Sequence, residues 1–145
     1  NAVKINTGTC TNNIFVGIKL SSLKLALESS KTYTIIFNSD AHWYSFEIGK
    51  REYLSNIDNR GISLNSKGNL YYSKFTYRPT DKYICFGRFY KKPTTKTIWD
   101  MVILEGDWTD NPPTYEEVMA NEGKYAVKVK LDNPNATIFG KGGRL

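Results

Sequence analysis

Histidine, cysteine and methionine are all scarce in this chain, with 1 His, 2 Cys and 2 Met in 145 residues. Because His42 stands alone, any Ser–His or Cys–His catalytic pair would have to be built around it, and no G-x-S-x-G sequence supports one. One His and two Cys do not make a zinc site. Cys10 and Cys85 cannot define a disulfide framework, and a chain of this length buries a core without staples, so both are expected to be reduced structural thiols. Apolar runs end after a few residues, far short of the roughly 20 that cross a bilayer, and no membrane insertion is expected. Asn1 opens the chain without Met, a basic n-region or an apolar h-region, the pattern of a fragment of a longer protein with no secretory signal. No glycine-rich loop leads into a helix, and Gly140-Lys141-Gly142-Gly143 reads as a linker.

Aromatic residues, in contrast, are plentiful: 10 Tyr, 7 Phe and 3 Trp. Aromatic and β-branched side chains fit half-buried pleated surfaces, so the composition leans towards β structure. The length suits a single domain. The net charge of +6 is unevenly spread. Lys74, Arg78, Lys82, Arg88, Lys91, Lys92 and Lys96 face Asp81 alone, whereas Asp100 to Glu122 is acidic with no basic residue. Two readings follow: the segments neutralise each other across neighbouring strands, or the first forms a basic face for an anionic polymer. No recognition motif accompanies the charge, and no nucleic-acid partner is expected.

Period-two alternation predicts short strands at Val3–Ile5, Phe15–Leu20, Tyr33–Asn38, Trp43–Ile48, Gly61–Leu64, Leu70–Arg78, Tyr83–Tyr90 and Thr97–Leu104. In Trp43–Ile48 the alternation sends Tyr44, Phe46 and Ile48 into the core and leaves Trp43 on the polar face. Phe75 and Tyr77 point inward, Tyr72, Lys74 and Thr76 outward. Tyr83–Tyr90 carries large apolar groups on both faces and is expected to be central. Ser21 to Leu27 has no clean period and reads as a turn with a short strand, or as a helical turn. Thr114 and Glu117 have the spacing of a capping box before a turn or two of helix at Tyr115–Ala120. Tyr125–Leu131 alternates again, and Asn133 to Leu145 is Gly- and Asn-rich. Short strands at this spacing, with no βαβ unit, predict an all-β antiparallel sandwich or barrel.

Asp40, Glu47, Asp100 and Glu105 are strand-associated carboxylates that glycoside hydrolysis would need in pairs. With 14 acidic residues such pairs arise by chance, so the chain is read as no enzyme. Sugar binding needs an aromatic platform and planar polar groups nearby. Trp43 is the best platform by its predicted face; the competing reading covers it with a loop or another subunit. Tyr72 with Lys74, and Arg88 with Tyr90, share faces that suit further contacts, although Arg88 and Tyr90 suit the packed interior beside Phe86 equally. Trp99 and Trp108 are expected to pack.

Trp99-Asp100-Met101-Val102-Ile103-Leu104-Glu105-Gly106-Asp107-Trp108-Thr109-Asp110-Asn111-Pro112-Pro113 resembles the closing segment of a module of phage tail and baseplate proteins from Gram-positive hosts. There a hydrophobic strand, LEEG, T-x-W and proline end a carbohydrate-binding-module-like jelly roll. Ser30-Lys31-Thr32-Tyr33-Thr34-Ile35-Ile36-Phe37 resembles its G-K-x-Y-T-x-S-F opening strand, with Ser30 for Gly and Ile36 for a small polar residue. Ile103 replaces the usual Gln, and one residue is missing before Gly106. The resemblance covers about 15–115. It implies a lead-in at 1–14, a jelly-roll β-sandwich at 15–115 and a connector at 116–145 towards a following module.

The resemblance further implies a virion location facing the host surface, assembly in a reducing cytosol, and a structural calcium as an option, with Asp100 and Glu105 as candidate ligands. It sets two functions side by side. One is non-catalytic binding of cell-wall polysaccharide, or another glycan, during adsorption. The other is a structural spacer or subunit contact with other virion proteins. Self-association into a homo-oligomer stays open.

Overall fold

The computed structural model describes residues 2–6, 14–20, 27–40, 42–52, 54–89, 95–130 and 137–142. Cys10, Tyr90 and most of Ser21 to Leu27 lie outside these residues, and Arg88 is described in its backbone alone. Among the described residues, eleven strands form two antiparallel sheets. The first runs β1 (Ala2–Asn6), β9 (Thr95–Glu105), β3 (Thr32–Ser39), β7 (Leu70–Thr76), β6 (Asn65–Lys67), with β10 (Val127–Lys130) also on β9. The second runs β11 (Thr137–Gly142), β2 (Ile14–Lys19), β8 (Tyr83–Phe89), β4 (Ser45–Gly49), β5 (Asn59–Ser63). The chain is an all-β sandwich, and β8 holds the central place that its two apolar faces require.

Alternate side chains of each sheet meet in the main core. Tyr33, Ile35 and Phe37 of β3 and Phe75 of β7 pack against Phe46 and Ile48 of β4 and Ile84 and Phe86 of β8. Phe37 and Phe86 touch edge to face across the sheets at 5.4 Å between ring centroids. A second core lies on the outer face of the first sheet. There Ile36, Val102 and Leu104 are covered by Val118 of the helix α1 (Tyr115–Ala120) and by Tyr125. Two cores explain why Tyr33–Phe37 is a nearly unbroken buried run: a strand covered on both faces has no polar side to alternate with.

β9 reaches both cores through a bulge. Its pairing with β3 slips between Ile36↔Val102 and Asn38↔Trp99, adding one residue to β9. Asp100 there has φ 55°, a left-handed conformation that Asp tolerates better than most residues. Consequently the inward parity changes from Ile98 to Met101 and Ile103, while Val102 and Leu104 face the second core.

Two expectations are corrected. Trp43 does not lie on a polar face: it is 5% exposed and packs edge to face on Phe86 at 5.8 Å, while Tyr44 is 77% exposed. The ladder of β4 starts at Ser45, so its alternation does not extend back to residue 43. The divisions at 14/15 and 115/116 are not edges of the fold either. β1 and β10 both complete β9, and β11, within the Gly- and Asn-rich tail, pairs with β2 from Thr137↔Lys19 to Gly142↔Ile14.

Candidate functional site

Where β9 ends, a set of local bonds lays the following segment across the first sheet. Gly106 has φ 96°, its N–H donates to Thr32 O at 2.8 Å, and its carbonyl accepts from Thr34 Oγ1 at 2.7 Å. The same hydroxyl accepts the Trp108 N–H at 2.9 Å. Trp108 Nε1 donates to Glu105 O at 2.9 Å. Thr34 is a buried threonine on the outer face of β3, and this clamp explains why a polar side chain is fully covered there.

The chain then turns through Asp107-Trp108-Thr109-Asp110-Asn111-Pro112-Pro113 into α1. Thr114 accepts from Glu117 N and Glu117 reaches back to the Thr114 N–H, the predicted capping box. Past the helix, Lys124 N donates to Asn121 Oδ1 at 3.2 Å and Tyr125 turns back onto Trp108, with ring centroids 5.0 Å apart and planes at 60°.

Between these two limbs lies a cleft of about 260 Å³ lined by Asp107, Trp108, Asp110, Asn111, Pro112, Pro113, Glu117, Lys124 and Tyr125. Trp108 is the half-buried aromatic of the cleft, Tyr125 behind it is 8% exposed, and the rim carries carboxylates, an amide and an ammonium. Asp107 is held ionised. Lys74 Nζ sits 2.8 Å from Oδ2, and Thr109 donates its N–H and hydroxyl to Oδ1 at 3.0 and 2.6 Å. The Lys74 bond first, then those from Thr109, keep this carboxyl below the usual carboxylate range. Asp107 in turn raises Lys74.

The expected contacts scatter relative to this cleft. Lys74 reaches its lip through Asp107, and Tyr72 is half-buried against the second core together with Trp108. Trp43 lies between the sheets, with Nε1 donating to Ser39 Oγ at 2.8 Å, so its ring is not offered to a ligand. Arg88 and Tyr90 add nothing, their side chains lying outside the description. Tyr125, Lys124, Asp110 and Asn111 were missed as site residues; the crowding of Asp, Asn and Pro after Trp108 is the signal that marks a shaped turn there. Trp108, expected to pack, both packs and lines the cleft.

Asp100 and Glu105 stand at opposite ends of one stretch of β9. Five residues of strand separate them by roughly 15 Å, and Glu105 Oε1 lies 3.4 Å from Lys31 Nζ. Among the described residues no group of three or more His, Cys, Asp or Glu is placed to hold a metal ion. Cys85 is a free, buried thiol, donating to Arg51 O at 3.6 Å, and burial, with Glu47 and Glu52 nearby, pushes it up to about 12. No helix among the described residues is long and apolar enough to cross a membrane. No family model, curated protein or solved structure matches the chain.

Proposed function

We propose that this β-sandwich is a non-catalytic carbohydrate-binding module of a phage tail or baseplate protein, facing the host surface and seating cell-wall saccharide in the Trp108–Tyr125 cleft. The observation that carries the reading is the make-up of that cleft: the half-buried Trp108 ring, backed by Tyr125, for the apolar face of a pyranose, with Asp110 and Asn111 on the rim for its hydroxyls. The sequence resemblance of the Trp99–Pro113 segment supplies the virion setting. A shallow site of this size binds weakly alone, and many copies on one particle multiply that affinity.

The test is retention of the whole chain on cell-wall polysaccharide fractions of Gram-positive bacteria, compared with the double variant Asp110→Ala, Asn111→Ala. Both residues are exposed, so the variant is expected to keep its fold, checked by circular dichroism. Retention that falls at least about tenfold in the variant supports the reading, a loss on the scale of one or two hydrogen bonds. Equal retention moves the ligand elsewhere, and no retention on any fraction removes saccharide binding.

The second reading, a spacer or subunit contact among virion proteins, draws on Tyr44 and Ile57, 77% and 88% exposed. They stand at opposite ends of the β4–β5 hairpin, as the pairings Ser45↔Ser63 and Gly49↔Asn59 require. Single exposed apolar residues are ordinary on soluble surfaces, so this reading ranks second.

A further inference from the structure

We infer that the Trp108–Tyr125 cleft selects an amino sugar, a saccharide residue with a free primary ammonium, over its neutral N-acetylated counterpart. The inference rests on the saccharide reading of the cleft and names its ligand class.

Three observations converge. The first is which lining groups are already engaged. Asp107 is taken up by Lys74 and Thr109, and Glu117 by the capping box. Asp110 makes no hydrogen bond or ion pair among the described residues and feels only the through-space attraction of Lys74, while Glu117 spends Oε1 alone on its cap, so Asp110 is the rim carboxylate with neither oxygen engaged.

The second is that one lining ring, Tyr125, already holds a cation. Lys124 Nζ stands 5.1 Å from the centroid of the Tyr125 ring. An ammonium is attracted to the negative face of such a ring, and Lys124, on a flexible four-carbon stem, occupies the place a ligand ammonium would take. The third is size. About 260 Å³ is near the lower end, about 300 Å³, of small-molecule pockets and suits a single pyranose. The ammonium and the stacked sugar face must then belong to one residue, which describes a hexosamine.

The charge of the whole chain opposes this preference, since a +6 molecule repels cations at long range. A preference for the charged sugar therefore has a local origin. An N-acetyl group offers Asp110 only an amide N–H and brings no charge to the ring.

The experiment titrates the whole chain with glucosamine trimer, N-acetylglucosamine trimer and trilysine, at constant salt and at a pH where the sugar amine is protonated. The glucosamine trimer is expected to bind about tenfold more tightly than the acetylated one, the scale of one exposed charge-assisted contact. Asp110→Asn should bring the two within about twofold. Lys124→Met, which removes the competing internal cation, should strengthen glucosamine binding. Equal binding of the two sugars, or a preference unchanged by Asp110→Asn, overturns the inference and leaves the saccharide reading standing. Trilysine binding as tightly as the glucosamine trimer overturns it in favour of a peptide ligand. Failure of both sugars, together with failure on wall polysaccharide, overturns the saccharide reading as well.

Discussion

Trp43 and Cys85 show how burial decides what a side chain can do. Trp43 fills the gap beside Phe86, so Trp43→Ala should lower unfolding free energy in urea by about 3–5 kcal/mol, the usual cost of emptying a large aromatic site. Saccharide retention per folded molecule should stay unchanged. Loss of retention without loss of stability would restore Trp43 as a contact. Cys85 keeps its proton in the folded state up to about pH 12, whereas the unfolded thiol titrates near its ordinary value. Above that ordinary value the unfolded chain binds fewer protons than the folded one, so stability falls as pH rises from about 9 towards 12. With Cys10 replaced by Ser, native protein should therefore react with a thiol reagent at pH 8 far more slowly than urea-unfolded protein. Equal rates would show that the thiol is open to solvent.

At the level of single elements, the bulge in β9 and the cap of α1 are local devices with separable costs. Asp100 sits at φ 55°, which Asn tolerates and a β-branched residue does not, so Asp100→Val should cost about 1–2 kcal/mol more than Asp100→Asn, read by chemical denaturation. Equal effects would show that the left-handed conformation carries no penalty. Thr114→Ala removes one half of the capping box and should cost about 1 kcal/mol. That cap was legible in the sequence because it is a contact over three residues. The core face of β4 was legible at Phe46 and Ile48 for the same reason of short-range alternation. Its start was not, because the pairings with β5 and β8 set where the ladder begins, and Trp43 fell outside it. β11 overlaps the Gly140–Gly143 stretch that reads as linker, because Gly and Asn are poor strand formers; its place comes from pairing with β2, a partner distant in sequence.

For the whole molecule, the sandwich class followed from strand spacing, but the second core did not. Trp108 and Tyr125 carry no mutual signal in the sequence, and they meet because both are laid on the outer face of one sheet. The basic and acidic segments meet at Lys74 and Asp107, 2.8 Å apart, while Lys31, outside the basic segment, pairs with Glu105 at 3.4 Å. A chain cut after residue 115 would lose β10, β11 and the cover over Ile36, Val102 and Leu104. It should bind a hydrophobic dye and lack a cooperative melting transition. A sharp transition in this fragment would show that residues 116–145 are dispensable to the fold.

The position of the ligand decides between these readings, and the three tryptophans, Trp43, Trp99 and Trp108, give separate reporters of it. The direct measurement is a ¹H–¹⁵N correlation spectrum of the whole chain titrated with wall saccharide, following the three indole N–H signals and the backbone of residues 107–125. Shifts at the Trp108 indole and along that segment, with the Trp43 indole unmoved, are the predicted result. Shifts centred on Trp43 or on the second sheet, with Trp108 unmoved, would contradict it.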